Sequence, residues 1–289
     1  MALLAELAAS AALNAFPEQS CALAGGACIS YREANPSALG TPVVLLHGIG
    51  SNSGSWLAQL KDLGVRRLLA WNAPGYESST AFDNDIPSAQ DYALRLWAWL
   101  DALNISTVHL VGHSLGCIVA ASAAALAPHR VASLSLLAPA QGYGTADSAT
   151  RADKRGARLK LLHTLGAAGM AQARGAALLS PQASDDLKAY AVAMMARVNL
   201  RGYTQATELL AGADIASDLA VWCAVPDQAA RCAIACGDAD PITPPAQCAA
   251  LAAKFNLPFT QFPHSGHLCA LEASAAVNTW LLARFSNHD

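Results

Sequence analysis

The chain has 289 residues, 54% of them Ala, Val, Ile, Leu, Met, Phe, Trp, Tyr or Cys and 13% charged, with 18 Lys and Arg against 21 Asp and Glu. Such a chain can bury a large core without covalent staples, and a net charge of −3 with no basic run gives no field for gripping a phosphate backbone, so nucleic acid is not an expected partner. About a fifth of the residues are alanine, which raises apparent hydrophobicity without bulk, and charges interrupt the apolar runs before they reach the length of a membrane span.

The opening MALLAELAASAALNAF resembles the apolar core of a signal peptide but lacks a basic leader and carries Glu6, so it reads as an amphipathic first helix that stays on the chain. Next, CALAGGACISYRE alternates about Gly25 and Gly26, a hairpin signal. The rhythm then changes. Short apolar runs PVVLLHG (42–48), RRLLAWNAP (66–74), TVHLVGHS (107–114), VASLSLLAP (131–139) and RCAIACGD (231–238) alternate with segments of helical period, and PFTQF ends the series. The intervening helices are SGSWLAQLKDLG, SAQDYALRLWAWLDALN, LGCIVAASAAALAPHR, PAQCAALAAKFN and HLCALEASAAVNTWLLARF. Ser88 with Asp91 forms a capping-box start, and Pro128 marks an exit. Trp97 and Trp99, two apart, cannot share a helical face, so at least one packs into the core.

This alternation predicts an α/β fold, a mostly parallel central sheet covered by helices on both faces. One interval breaks it. From Gln141 to Val225 only helical stretches occur, such as RADKRGARLKLLHTL, GMAQARGAALLS, SDDLKAYAVAMMARVN and GYTQATELLAGA. The expected organisation is a core domain of residues 1–140 and 226–289 with an inserted helical cap, 141–225, lying as a lid over the carboxyl edge of the sheet. The eight cysteines are scattered through apolar segments, as expected of small reduced hydrophobes in the cytoplasm. Cys232 and Cys236 share a strand face but have no partner of ligand spacing, so neither a metal nor another cofactor is expected.

The chemistry concentrates in LVGHSLGCIVA, where Gly112-His113-Ser114-Leu115-Gly116 fits G-x-S-x-G between a strand and a small-residue helix. A sharp turn there crowds the neighbouring backbone, so glycines flank it, and the following helix aims its N-terminal N–H groups at a developing oxyanion. Ser114 is therefore the expected nucleophile; adjacent His113 is expected to be turned away from it and to pack or hydrogen-bond locally.

Three further stretches accompany this one: LLHGIGSNSGSW after the first core strand, ACGDADPITPP after the strand that follows the helical interval, and FPHSGHLCALE after the last strand. Together they resemble α/β-hydrolase-fold enzymes with a helical cap, from about residue 20 to the C-terminus. The resemblance implies a Ser-His-Asp triad of Ser114, His267 and Asp240, in that family's chain order, with Asp238 and His264 as rivals for acid and base. It implies an oxyanion hole from the main-chain N–H groups of Ile49 and Leu115, with His47 bracing the loop and Gly266 letting the base swing toward Ser114. Ser114 argues against dehalogenases and epoxide hydrolases of this fold, which use Asp.

The implied function is hydrolysis of a carboxylic ester or lactone of a small, largely apolar substrate through an acyl-enzyme. Carbon-carbon bond hydrolysis in aromatic degradation, and acyl transfer on the same triad, are the alternatives. GAAGMAQARGAALLSP is loosely similar to β-ketoadipate enol-lactone hydrolases, while His113, Cys117 and Leu268 depart from the carbon-carbon subgroup. Met170, Leu178, Met194, Met195 and Tyr203 of the cap are candidates to face the pocket, and Arg174 to hold a carboxylate-bearing substrate. The expected partner is a small molecule; a homodimer is compatible with the sequence.

Overall fold

The computed structural model describes residues 11–64 and 66–288. Of the helix expected at the start, the part before residue 11 lies outside the described residues, and 11–13 are helical. The hairpin forms as antiparallel strands β1 (Gln19–Ala22) and β2 (Cys28–Ala34). The remaining strands are β3 (Val43–Leu46), β4 (Leu68–Trp71), β5 (Val108–His113), β6 (Val131–Leu137), β7 (Cys232–Gly237) and β8 (Phe259–Phe262). They make one eight-stranded sheet in the order β1-β2-β4-β3-β5-β6-β7-β8, parallel from β4 to β8.

Two apolar layers follow from the pleat. Val43 and Leu45 point to one face and Val44 and Leu46 to the other, as successive strand residues must. The first face meets α1 (Leu57–Asp62), α9 (Cys269–Glu272) and α10 (Ser274–Ser286). The second meets α2 (Ala89–Ala102), α3 (Leu115–Leu126) and α8 (Pro245–Lys254). With both faces covered, every residue of β3, β5, β6 and β7 is buried, which is why these strands read as largely apolar runs, with His109, His113, Ser133 and Ser135 as buried polar exceptions. The single helix expected over 267–285 is interrupted at Ala273, whose ψ of 38° leaves the helical region. Trp97 and Trp99 are both core: Trp97 donates its indole N–H to the Ala123 carbonyl, and Trp99 packs on Tyr31 and Trp71.

Between β6 and β7 lie α4 (Ser148–Arg174), α5 (Asp185–Met195), α6 (Leu200–Gly212) and α7 (Ile215–Cys223). Asp147, Ser184, Asn199 and Asp214 cap their N-termini with side-chain oxygens that accept otherwise orphaned N–H groups. The two stretches 151–165 and 169–180 read as separate helices, and Gly166 (φ 65°, ψ 177°) divides them within α4, the second giving way to a 3₁₀ turn over Ala176–Leu178. Helix α7 packs against α3, on the flank of the sheet.

The start of α6 docks on the loop after β4. Asn199 hydrogen-bonds the Gly75 carbonyl, Arg197 pairs with Glu77, and Gly202 lies flat on Gly75. A Cβ built at Gly202 would stand 2.2 Å from the Gly75 oxygen, whereas one built at Gly156, exposed on α4, would meet nothing within 4 Å. Gly202→Ala is therefore expected to cost about 1–3 kcal/mol through overpacking, and Gly156→Ala to stabilise by up to about 1 kcal/mol through the lower entropy of the unfolded chain. Urea denaturation of the two variants should move the midpoint in opposite directions; equal effects would contradict the packing described.

Candidate active site

In the sheet order, β4 lies on one side of β3 and β5 on the other, so the loops after β3 and β5 diverge and leave a crevice at their carboxyl ends. Ser114 stands at that point, directly after β5, with φ 53° and ψ −116°. A non-glycine residue there costs of order 1–3 kcal/mol and persists only where its surroundings over-determine it. Here they do. The Ser114 N–H donates to the Leu137 carbonyl at 3.0 Å, and the Ser114 carbonyl accepts from Cys117 and Ala140 at 3.0 and 3.2 Å. The flanking glycines are required by space: a Cβ at Gly116 would meet the Leu46 oxygen at 2.1 Å, and one at Gly112 the Gly116 oxygen at 2.6 Å.

Asp240 and His267 come from the turns after β7 and β8. His267 Nδ1–H donates to Asp240 Oδ2 at 2.9 Å, leaving Nε2 as the bare nitrogen. The other carboxylate oxygen accepts the N–H groups of Ile242 and Thr243 at 2.7 and 2.9 Å, and the Thr243 hydroxyl lies 2.8 Å from Oδ2. Burial pushes the Asp240 carboxyl up, but the hydrogen bonds and charge of His267 and the Thr243 donors outweigh it and hold the carboxyl below the usual range. The rivals lie elsewhere: Asp238 is exposed and accepts from the Ser265 N–H, and His264 is exposed in a turn with φ 57°.

Ser114 and His267 border the same cavity of about 430 Å³. Among the described residues, neither Ser114 Oγ nor His267 Nε2 has a hydrogen-bond partner. The main-chain N–H groups of Ile49 and Leu115 are likewise not engaged, and both residues line the cavity. Leu115 N–H is free because it opens α3, where the backbone offers no acceptor.

Ile49 N–H is aimed by His47. The Ala73 N–H donates to His47 Nε2 at 3.0 Å, so the ring proton sits on Nδ1 and is donated to the Gly48 carbonyl at 2.8 Å. That carbonyl and the Ile49 N–H are opposite sides of one trans peptide, so fixing one fixes the other. His113 does a similar service for His267. Its Nε2–H donates to the His267 carbonyl at 2.7 Å, a bond to a distant segment where its position suggests local packing or hydrogen bonding. The His267 loop is tied to the helical excursion as well: His267 N–H donates to the Leu178 carbonyl at 2.7 Å, and Glu272 accepts from Gly266 N–H and Ser180 N–H, each at 2.8 Å. Gly266 accordingly serves close approach instead of swing, since a Cβ there would lie 2.6 Å from the Leu179 and Ser180 backbone.

All six residues expected to face the pocket, Met170, Arg174, Leu178, Met194, Met195 and Tyr203, border the cavity. Sequence reasoning missed Thr243, Glu272 and Arg158. Thr243 was legible in the D-P-I-T turn after β7, whereas Arg158 looks like any cation of RADKRGARLK. Among the described residues no cluster of three or more His, Cys, Asp or Glu side chains could hold a metal ion.

The two bracing histidines are wholly buried, and burial lowers the pKa of His47 to about 4 and of His113 to about 3. Both are therefore neutral in the folded protein while the unfolded chain takes up protons near pH 6.5. Their contribution to stability is full above that pH and is lost as pH falls toward 4 and 3. Between pH 6.5 and 5 the fold should lose roughly 2–4 kcal/mol from this pair, at about 1.4 kcal/mol per pH unit per histidine. Urea titrations at the two pH values measure it, and either imidazole titrating near pH 6.5 by NMR would refute it.

Comparison with known proteins agrees with this architecture. The model of the alpha/beta hydrolase family matches residues 43–280. The chain is 44% identical over 110 residues to the dihydrolipoyllysine-residue acetyltransferase component of the acetoin cleaving system of Pseudomonas putida, covering 37% of this chain and 29% of that protein. It thus spans less than a third of that relative's length. A thermophilic esterase from Thermogutta terrifontis superposes with a TM-score of 0.77 at 20% identity, over 93% of this chain and 99% of the other. The enol-lactonase of Burkholderia xenovorans LB400 superposes with 0.76 at 18% identity, over 93% and 100%. Among the described residues no helix is long and apolar enough to cross a membrane. With its switch-point crevice, its strained serine after β5 and a family match over most of its length, the chain belongs to the alpha/beta hydrolase family.

Proposed function

We propose that the protein is a serine hydrolase that cleaves a carboxylic ester or lactone of a small substrate through an acyl-enzyme. The observation that carries this reading is the placement of Ser114: its strained backbone sets the hydroxyl at the cavity that also receives the bare Nε2 of His267, whose other nitrogen is tied to Asp240. A serine hydroxyl is a poor nucleophile at neutral pH, so it needs a base. His267 Nε2 takes the Ser114 proton as Oγ attacks the carbonyl, and Asp240 holds the tautomer and stabilises the imidazolium. The oxyanion forms against the Ile49 and Leu115 N–H groups, and His267 then gives its proton to the leaving alkoxide. Water repeats the cycle on the acyl-enzyme and regenerates Ser114. No step needs a cofactor.

Ester and lactone fit the cavity for a common reason: its 430 Å³ suits a small molecule. Acyl transfer uses the same first half-reaction and differs only in whether water or an alcohol reaches the acyl-enzyme. The partial match to an acetyltransferase component is what favours testing it.

A fluorophosphonate should label wild-type protein at Ser114 and leave Ser114→Ala unlabelled. On a panel of 4-nitrophenyl esters and small lactones, Ser114→Ala and His267→Ala should lose roughly 10⁵ in turnover, and Asp240→Asn somewhat less. Ester hydrolysis retained by a clean Ser114→Ala preparation would remove the assignment. Added alcohols should leave product acid as the main product; dominant transesterification would favour the transferase.

A further inference from the structure

The cavity is also bordered by charge that the hydrolytic chemistry does not use. Arg158 and Arg174 both line it, and both belong to α4. On a straight helix, residues sixteen apart would be about 24 Å distant and on nearly opposite faces. The break at Gly166 interrupts that straight course, and both side chains border one cavity. Tyr203 borders the same cavity: burial raises its phenol pKa, and the positive charges of Arg158 and Arg174 both pull it back.

Neither guanidinium is neutralised. Arg158 donates to the Lys154 carbonyl at 3.4 Å and stands 5.8 Å from the Tyr143 ring centre, with no carboxylate partner among the described residues. Arg174 makes no hydrogen bond or ion pair with any described residue. The contrast within the same region is direct, since Arg155 pairs with Glu208 and Arg197 with Glu77. Among the described residues no Asp or Glu lines the cavity, and both arginines are half-buried. Two cations held in a partly enclosed space without a counter-charge are costly unless an anion joins them. The guanidinium fork suits an oxyanion bidentately, and a phenol can donate a third hydrogen bond.

We infer that Arg158, Arg174 and Tyr203 form a subsite for a second, non-reacting oxyanion of the substrate, a carboxylate or a phosphonate-like group, so that the preferred substrates are half-esters and lactones with an anionic tail. This rests on the serine-hydrolase reading. The apolar wall of Met170, Met194 and Met195 lies along the same cavity and suits the carbon chain between the anion and the scissile carbonyl.

The test compares three esters of similar chain length: the 4-nitrophenyl half-ester of adipic acid, its methyl-capped neutral counterpart, and 4-nitrophenyl 5-phosphonopentanoate. For each enzyme the readout is the ratio of kcat/KM, charged over neutral, in low salt. Wild type should show a ratio above about ten, as expected for charge-assisted hydrogen bonds to two arginines. Arg158→Gln and Arg174→Gln should each lower it about tenfold, and Arg174→Lys should restore part of the loss. Because the ratio is internal to each enzyme, partial loss of folded protein cancels. The carboxylate and phosphonate arms tell which oxyanion fits better. A wild-type ratio near one, or a ratio unchanged in both Gln variants, would overturn the subsite even if the neutral ester is cleaved in a Ser114-dependent way. Absence of Ser114-dependent cleavage of all three esters would instead remove the hydrolase reading. Glutarate binding, read as a thermal shift of wild type and Ser114→Ala that is lost in Arg174→Gln, supports the subsite independently of turnover; no shift overturns it.

Discussion

The molecule is organised around the turn that joins β5 to α3. A central strand, buried on both faces, must reverse into a buried helix within one residue, and it does so only with Ser114 in a left-handed conformation. That single dihedral has three consequences. It forces glycine at 112 and 116, where backbone from Leu46 and α3 passes within contact distance. It leaves Leu115 N–H at the head of a helix with no acceptor of its own. It also sets the serine side chain at the crevice between the β3 and β5 loops, the place where a doubly wound sheet admits a ligand. The local strain is held by three main-chain hydrogen bonds to Ser114 and by the close-packed alanines of α3.

The rest of the site is built by fixing main-chain groups with side chains that never need to meet a substrate. His47 locks the peptide that presents Ile49 N–H, and His113 locks the carbonyl of His267. Glu272 joins the base loop to the segment after α4 through two N–H groups. Each of these is a buried or half-buried polar group whose partners are satisfied, which makes the arrangement stiff and raises the cost of losing any one member. Since the His267 N–H is also held by Leu178, a residue of the cavity wall, displacement of that wall would move the base.

How much of this was legible in the sequence depended on whether a residue's role is local. The strand-turn-helix at Ser114 leaves a mark, because crowding there demands glycine at fixed offsets. The buried parallel strands leave another, as short, largely apolar runs. Roles set by distant backbone leave none. Nothing in HLCALE marks Glu272 as a bridge to Ser180, and Gly266 reads as a hinge when it is a point of close approach to residues 178–180. The break at Gly166 shows in the sequence as two separate helical stretches, but nothing there marks Arg158, anonymous among neighbouring cations, as the one that borders the cavity. Helix α7 escaped notice because its short IASDLAVWC run follows α6 after only two residues.

The charge distribution of the cavity also bears on where recognition would be expressed. The proposed oxyanion hole and the two arginines are both electropositive, but they would act on different atoms at different stages. In the proposed reaction the Ile49 and Leu115 N–H groups would meet an oxygen whose charge grows only as the carbonyl becomes tetrahedral, so they would favour the transition state over the ground state. Arg158 and Arg174 would meet a charge already complete in the free substrate and unchanged through the reaction. Such an interaction is uniform along the reaction path, so it strengthens kcat/KM mainly by lowering KM and does little for kcat. It would also hold the product, which leaves with one more negative charge than the substrate brought. Because both arginines are only half-buried, that attraction is moderated enough for release.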